Sequence, residues 1–191
     1  MNIDFENYFK KNVYPDIKDF DFVKDLEKYD HLKKGLSLNA ETKNIQALSD
    51  YKALETMHCF RLKEEQIDSF PKLDTVKNLN LSGSDIENLN FLKCFPNLIY
   101  LNIDGCDDLE STDGISMLTQ IKVLVFTANM SLKDYKELAM LTSLISLCIT
   151  GTTAGSSLKM GNLGWITALK NLEYFWFYDI WGDTLLKPFK E

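Results

Sequence analysis

The stretch that decides the fold is residues 76–97, VKNLNLSGSDIENLNFLKCFPN. After Val76, its apolar positions first alternate, at Leu79 and Leu81, and then recur about every three residues up to Phe95. A period of two over a few residues is typical of a short strand, whereas a period of three suits a tight 3₁₀ or extended return better than a long α-helix. This stretch therefore predicts one strand followed by one compact return.

The same pattern recurs along the chain in repeats whose first positions are 21, 22, 22, 23, 23 and 28 residues apart, and the first repeat is a weaker copy that starts at a lysine. These positions are Lys33, Leu54, Val76, Leu98, Ile121, Leu144 and Leu172. Because one copy cannot bury its own apolar edge, stacked copies share a continuous core. We therefore expect seven short parallel strands, which begin near Gly35, Thr56, Asn78, Tyr100, Val123, Ser146 and Tyr174.

The motif LxxLxLxxNxIxxLxxLxxL resembles the leucine-rich repeat family, in particular the 22-residue class found in internalins, over roughly residues 33–180. The resemblance implies an α/β fold, a right-handed solenoid of about seven repeats in which short parallel strands are joined by 3₁₀ or extended returns. In this family the side chain at the Asn position bonds backbone groups where the chain leaves the strand. Here that position holds Ser84, Cys106, Asn129 and Thr152, while Glu41, Leu62 and Ile180 break the pattern.

The two ends of the chain do not repeat. Residues 1–32 carry two stripes with helical spacing, and solenoids need their first repeat covered, so we predict a helical N-terminal cap. The stripes are Phe5, Tyr8 and Phe9 before Pro15, then Phe22, Leu26 and Tyr29 after a cap at Asp19 or Asp21. An aromatic stripe for partner docking is the alternative. Residues 33–180 form the repeats, and residues 181–191 a short C-terminal cap or the point where a longer protein was cut, within one structural domain.

Composition limits the partners and the location. The 191 residues carry a net charge of -7, which repels phosphate backbones and argues against nucleic acid. The chain begins without a basic leader, and it has no apolar run long enough for a signal peptide or a membrane span. We therefore expect a cytoplasmic protein without membrane insertion, or a secreted one if a leader has been removed.

The four cysteines are spaced 35, 12 and 42 residues apart, which matches no zinc or redox motif. We expect free thiols, with Cys59 in the core, Cys106 as a weak donor at the Asn position and Cys148 facing outward.

Candidates for chemistry are few. His58 and Cys148 share an outward position, but they lie four repeats apart, about 19 Å at one strand spacing per repeat, which is too far for a nucleophilic pair. The acidic run at residues 104–113 lacks the order of a calcium loop. The Gly- and Ser-rich run at residues 151–157 lacks the lysine of a phosphate loop. We interpret it as a loop inserted on the rim of the solenoid. We predict no catalytic residue, no metal site and no cofactor.

The outward side chains of the strands form three rows, which together we call the concave face. The side chains in the middle of this face are small and polar, whereas aromatic side chains lie at its C-terminal end and on its second strand. Aromatic residues and arginine are the residues that dominate protein interfaces. The predicted protein-binding residues are Tyr100, Asp104, Tyr174, Trp176, Tyr178, Trp181, His58, Phe60 and Arg61. The alternative is that the C-terminal tail or an extension covers the aromatic end.

These observations predict a non-enzymatic module that binds another protein through the concave face and the C-terminal rim, such as an inhibitor, an immunity protein or an adaptor. The alternative is a fragment of a bacterial surface or secreted adhesin. An enzyme is the third hypothesis, and it is disfavoured because no nucleophile, base and orienting group fall on adjacent strands.

Overall fold

The repeats build one parallel sheet. The computed structural model describes residues 22–151, 158–160, 163–178 and 180–181. Seven strands of five residues form the sheet: β1 (Gly35–Asn39), β2 (Thr56–Phe60), β3 (Asn78–Ser82), β4 (Tyr100–Asp104), β5 (Val123–Thr127), β6 (Ser146–Thr150) and β8 (Tyr174–Tyr178). Two short strands pair separately in parallel, β7 (Leu158–Lys159) and β9 (Ile180–Trp181).

The register of the sheet is the one that the repeat predicts. All neighbouring strands pair in parallel, in the order β1-β2-β3-β4-β5-β6-β8. The first residues of the strands are aligned across the whole sheet, from Gly35 to Tyr174. The predicted beginnings of all seven strands are therefore confirmed.

The returns between the strands are short. Among the described residues, the only α-helix is Glu64–Asp68. The other returns are 3₁₀ turns at Ile45–Asp50, Asn90–Cys94, Ile115–Met117, Lys136–Met140 and Gly164–Ala168. A 3₁₀ turn repeats every three residues, so the apolar spacing of three directs the same side of each return to the core.

The core lies between the sheet and the returns. Leu79, Leu101 and Leu124 are fully buried, as the register requires. Rings of successive returns pack edge to face, with the centroids of Phe70 and Phe95 5.4 Å apart. Burying a side chain of this size stabilises the fold by about 1.5–3 kcal/mol, so the stacked core is the main source of stability.

The Asn position makes the expected hydrogen bonds. The backbone N–H of Leu62 donates to Ser84 Oγ at 3.0 Å, and the backbone N–H of Cys106 donates to Asn129 Oδ1 at 2.9 Å. Cys106 Sγ donates to its own strand, at 3.7 Å from the carbonyl oxygen of Asp104. In the first repeat Thr42, one residue after Glu41, takes this role, with Oγ1 2.6 Å from the carbonyl oxygen of Val23. Thr152 lies outside the described residues.

A left-handed residue follows each of the strands β2 to β5. These residues are Arg61 (φ 52°), Gly83 (φ 58°), Gly105 (φ 59°) and Ala128 (φ 55°). Each donates its backbone N–H to the last residue of the next strand, as Gly83 does to Asp104 at 2.8 Å. The left-handed conformation thus turns the chain out of the sheet, and the same residue still makes one further backbone hydrogen bond to the next strand.

The segment before the first repeat differs from the predicted second helix. Phe22 forms a parallel bridge with Ser37, so the sheet begins with a fragment of an additional strand. Asp25 then caps a single 3₁₀ turn, Leu26–Lys28. Apolar residues three or four apart suit a helix and a repeat return equally well, which is why the spacing of Phe22, Leu26 and Tyr29 predicted a helix. Residues 1–21 and 182–191 lie outside the described residues, so the boundaries of both caps stay predictions.

Candidate functional site

The predicted binding residues whose side chains the structure describes lie in three places: on the central strands of the sheet, at its C-terminal end and at the exit of β2. The concave face consists of the outward residues at the first, third and fifth positions of each strand. We call these the first, middle and last rows. Since the strands pair in one register, each row runs straight across the sheet.

The centre of the concave face is buried. Tyr100 and Val123 are 0% exposed and Val125 is 5% exposed, and together they form an apolar cluster separate from the core. Cys148 packs against this cluster. The expectation that Tyr100 is an accessible anchor therefore differs from the structure, because its outward position does not leave it open to solvent.

Sequence reasoning missed Val123 and Val125 as members of this cluster. The signal was present, since residues 123–126 read VLVF. A continuous apolar run is typical of a strand buried on both faces, whereas a strand with one open face alternates between apolar and polar residues.

The C-terminal end of the face is open. On β8, Tyr174 is 50% exposed and Trp176 is 67% exposed. The backbone of Tyr178 completes this strand and that of Trp181 lies in β9, whereas their side chains lie outside what the structure describes. Two large neighbouring aromatic side chains in solvent make this end suited to contact another molecule.

A second open patch lies at the exit of β2. Phe60 is 42% exposed, and the guanidinium carbon of Arg61 lies 5.0 Å from the centre of the Phe60 ring, a cation–π contact. His58, two residues earlier, is half-buried, and this burial lowers its pKa to about 4. The patch therefore presents one positive charge and one ring, with a neutral imidazole behind them.

Asp104 lies in the last row and is the first residue of the acidic run 104–113. Its Oδ2 accepts a hydrogen bond from Ser82 Oγ at 3.2 Å, so it helps to join β3 and β4. Among the described residues, no group of three or more His, Cys, Asp or Glu side chains has an arrangement that could hold a metal ion.

The geometry argues against a nucleophilic pair. His58 on β2 and Cys148 on β6 occupy the same row four strand steps apart, about 19 Å at the usual spacing. Burial also raises the pKa of Cys148 to about 11, so both side chains are neutral at pH 7. An activated thiolate needs the opposite, a lowered thiol pKa beside a base or a cation.

The four cysteines carry free thiols. Cys59 is buried in the core and Cys106 is a buried weak donor at the Asn position, as predicted. Cys94 donates to the carbonyl oxygen of Phe70 at 3.3 Å. Cys148 points outward as expected but is only partly accessible.

The inserted loop of residues 151–164 is described only in part. Leu158 and Lys159 form β7, which pairs with β9, so the loop connects to the segment after β8. Residues 152–157, the Gly- and Ser-rich run, lie outside the described residues. Of the helices that the structure does describe, none is long and apolar enough to cross a membrane.

Comparison with known proteins gives partial matches. No protein-family model matches the chain. It is 34% identical over 89 residues to the acidic leucine-rich nuclear phosphoprotein 32 family member A of Drosophila melanogaster, a match that covers 46% of this chain and 34% of the relative. The protein of the same name from Drosophila pseudoobscura pseudoobscura is 34% identical over 90 residues, with 45% and 34% covered. The chain thus spans about a third of the length of these curated relatives.

Two solved structures from Listeria monocytogenes align with lower identity. An internalin (inlF) is 17% identical with a TM-score of 0.48, and the alignment covers 77% of this chain and 46% of the internalin. Internalin C2 (inlC2) is 17% identical with a TM-score of 0.45, with 76% and 70% covered.

The family follows from the sequence motif, the strands and the curated match. The motif recurs with a period of about 22 residues, and each copy contributes one strand to a single parallel sheet. The curated relatives are themselves named for leucine-rich sequence. The chain is therefore a leucine-rich repeat protein.

Proposed function

We propose that this chain is a non-enzymatic protein-binding module whose partner contacts the open C-terminal end of the concave face. The observation that carries the proposal is the exposure of Tyr174 and Trp176, side by side on the last strand of the sheet. Every other strand of the sheet buries its first-row and middle-row side chains at least in part. Repeat proteins use such extended surfaces for recognition, because the scaffold holds the side chains rigidly.

The chemistry of the surface supports a protein partner. Tyrosine and tryptophan provide large contact areas at little conformational cost, and they are enriched among residues whose truncation weakens binding most. The Phe60 and Arg61 patch lies five strand steps away, about 24 Å at the usual spacing, so one interface of ordinary size can include both patches. The proposed contacts are Tyr174, Trp176, Tyr178, Trp181, His58, Phe60, Arg61 and Asp104.

The role of this module is the inhibition or tethering of its partner, as in an immunity protein or an adaptor. Both roles need tight binding without chemistry. The described residues fit this requirement, because the two outward residues with catalytic potential, His58 and Cys148, are far apart and neutral.

Site-specific photocrosslinking in cells of the native organism tests this proposal. The photoreactive residue p-benzoylphenylalanine replaces Trp176 in one chain and Lys136, an exposed residue of a return, in a matched control. We expect one protein to be crosslinked from position 176 and absent from position 136. Equal capture from both positions, or capture from position 136 alone, would place the contact elsewhere.

A further inference from the structure

The exit of β2 carries a positive charge that no described residue neutralises. Arg61 is the only arginine in the chain, and its side chain is exposed. Among the described residues, the ion pairs involve Lys28, Lys34, Lys72 and Lys136, and none of them includes Arg61. A guanidinium presents five N–H donors in a rigid plane that matches the geometry of a carboxylate. The surface of this part of the chain thus has a carboxylate-binding group without a carboxylate.

Three contacts fix the position of Arg61. Its backbone N–H donates to the carbonyl oxygen of Ser82 at 2.8 Å, and its guanidinium carbon lies 5.0 Å from the centre of the Phe60 ring. The stem of the side chain passes over Gly83, where a Cβ atom would lie 3.4 Å from Arg61 Cγ. A side chain that is held in advance loses less conformational entropy when it binds a partner. The guanidinium is therefore preorganised for contact.

The backbone of Arg61 is left-handed, with φ at 52°. The equivalent residues after β3 and β4 are Gly83 and Gly105, and glycine adopts this conformation without steric penalty. Strained residues cluster at sites that bind ligands, where the side chain has a use that offsets the strain. The conformation thus supports a binding role for the Arg61 side chain.

A negative charge lies at the same edge of the sheet, two strands away. Phe60, Ser82 and Asp104 are aligned across β2, β3 and β4 in the last row, and Asp104 is the only charged residue in the three rows. Its Oδ2 accepts the hydrogen bond from Ser82 Oγ, and no described residue donates to its Oδ1. Two strand steps are about 10 Å at the usual spacing. The edge therefore presents one positive and one negative charge at that separation.

We propose that this edge binds an extended segment of the partner protein in which an acidic and a basic residue are three positions apart. The glutamate or aspartate of the segment pairs with Arg61, and its lysine or arginine pairs with Asp104. An extended chain advances by about 3.3 Å per residue, so three residues span about 10 Å, the separation of β2 and β4. The proposal rests on the proposed function, because Phe60 and Arg61 belong to the proposed interface.

The surface between the two charges suits such a segment. The Phe60 ring is exposed beside Arg61 and provides apolar contact, as aromatic residues do at the centres of interfaces. Ser82 lies between Phe60 and Asp104, and its small side chain leaves space for a main chain that crosses the strands. The segment therefore contacts a ring and a hydroxyl group between its two ion pairs.

The charge of the whole chain favours a segment that carries both signs. The net charge is -7, and the acidic run of residues 104–113 begins at Asp104. A phosphate or another multiply charged anion is repelled by this field, whereas a segment with one carboxylate and one cation is not. Because the basic residue of the segment lies towards the acidic run, the two charges also determine the direction in which the segment crosses the sheet.

A short peptide tests the pairing in the absence of the partner. The probe is Glu-Val-Thr-Lys with acetylated and amidated ends, since β-branched residues favour an extended chain. The matched control peptide is Glu-Lys-Val-Thr with the same ends, which has the same composition but adjacent charges. Binding to the ¹⁵N-labelled full chain is followed by NMR at the single arginine Nε–Hε signal, from Arg61, and at the backbone amides of Ser82 and Gly83. We expect the probe to shift these signals and to bind about three- to fivefold more tightly than the control peptide, the range that one partly exposed ion pair supplies.

Substitutions in the protein assign the two charges. Arg61→Gly removes the guanidinium and relieves the backbone strain, so a loss of binding cannot be attributed to unfolding. Asp104→Asn removes the charge but keeps an oxygen that can accept the hydrogen bond from Ser82. We expect each variant to bind the probe and the control peptide equally. Lys93→Gln and Asp107→Asn, which remove exposed charges outside the concave face, should keep the preference for the probe.

Three results would overturn the proposal. One is an Arg61 Nε–Hε signal that does not move at millimolar concentrations of the probe. Another is equal affinity of the two peptides for the unmodified chain, because the spacing of the charges is then not recognised. The third is an unchanged preference for the probe in Arg61→Gly or Asp104→Asn. These results are independent of the crosslink from position 176: loss of that crosslink contradicts the proposed function, whereas failure of the peptide contradicts only the chemistry assigned to Arg61 and Asp104.

Discussion

The side-chain amide of Asn129 joins its own repeat to the preceding one at Cys106. Its Oδ1 accepts the backbone N–H of Cys106 at 2.9 Å, and its Nδ2 donates to the carbonyl oxygen of Ile103 at 2.8 Å. Asn129 and Cys106 are both buried, so water cannot replace either hydrogen bond. The amide therefore satisfies two backbone groups at the point where the chain leaves β4.

We expect Asn129→Ala to lower the free energy of unfolding by about 2–4 kcal/mol, since it leaves one buried donor and one buried acceptor unpaired. Urea denaturation followed by circular dichroism measures the change. The matched control is Asn171→Ala, which also removes an amide that bonds a neighbouring repeat, at the carbonyl oxygen of Thr142, but on the exposed surface. Asn171→Ala should lower the free energy of unfolding by less than about 1 kcal/mol. Equal losses would mean that burial is not the cause.

Two glycines with positive φ allow the energetic cost of backbone strain to be measured separately from the cost of a steric clash. A Cβ atom at Gly114 (φ 96°) would lie 2.7 Å from the backbone of Leu89 and Asn90, whereas one at Gly105 (φ 59°) would meet nothing within 4 Å. We expect Gly105→Ala to cost about 1–2 kcal/mol from strain alone, and Gly114→Ala at least about 3 kcal/mol because adjacent repeats must also separate. Thermal and urea unfolding of the two variants provide the comparison, and a smaller loss at position 114 would contradict it.

The half-buried imidazole of His58 predicts a pH dependence of stability. Its pKa is lowered to about 4 in the folded chain, whereas an unfolded histidine titrates near 6.5, so the unfolded state binds more protons between these values. Stability should therefore fall as the pH drops from about 6.5 towards 4, and His58→Gln should reduce this slope. NMR titration of the folded protein should give a midpoint near 4 for the His58 ring. A midpoint near 6.5 would refute the burial effect.

Tyr100 and Trp176 should respond in opposite ways to truncation. Tyr100→Ala removes a fully buried ring and should lower the free energy of unfolding by about 3–5 kcal/mol. Trp176→Ala should leave stability nearly unchanged but weaken binding of the crosslinked partner by about 2 kcal/mol, roughly 30-fold. Urea denaturation and calorimetric titration give the two values.

The matched controls for this pair are Lys93→Ala and Lys136→Ala, two exposed lysines on the returns. Both should change stability and affinity by less than about 0.5 kcal/mol. If Trp176→Ala also leaves the affinity unchanged, the open end of the face is not the binding site.

The sheet could be predicted from the sequence because its register depends on local spacing alone. The alternation at Leu79 and Leu81 determines which side chains point inward, and the same alternation recurs in the other repeats. The segment around Leu26 was mistaken for an α-helix, since apolar residues three or four apart suit both a helix and a 3₁₀ return.

The state of the concave face could not be predicted in the same way. The register gives the direction of Tyr100, but it does not show that this ring packs with Val123 and Val125 in a buried cluster. Trp176 and Val125 lie in the same row, yet Trp176 is exposed and Val125 is buried, so the position in the repeat alone does not determine exposure.

The left-handed backbone at Arg61 sets stability against the binding role that we propose for this side chain. The equivalent positions after β3 and β4 are glycines, which adopt this conformation without penalty, whereas a side chain there costs about 1–2 kcal/mol. Glycine at position 61 would relieve that strain but would remove the charge above the Phe60 ring. Selection for stability alone would favour glycine, so at position 61 a more stable scaffold and the proposed binding role require opposite choices.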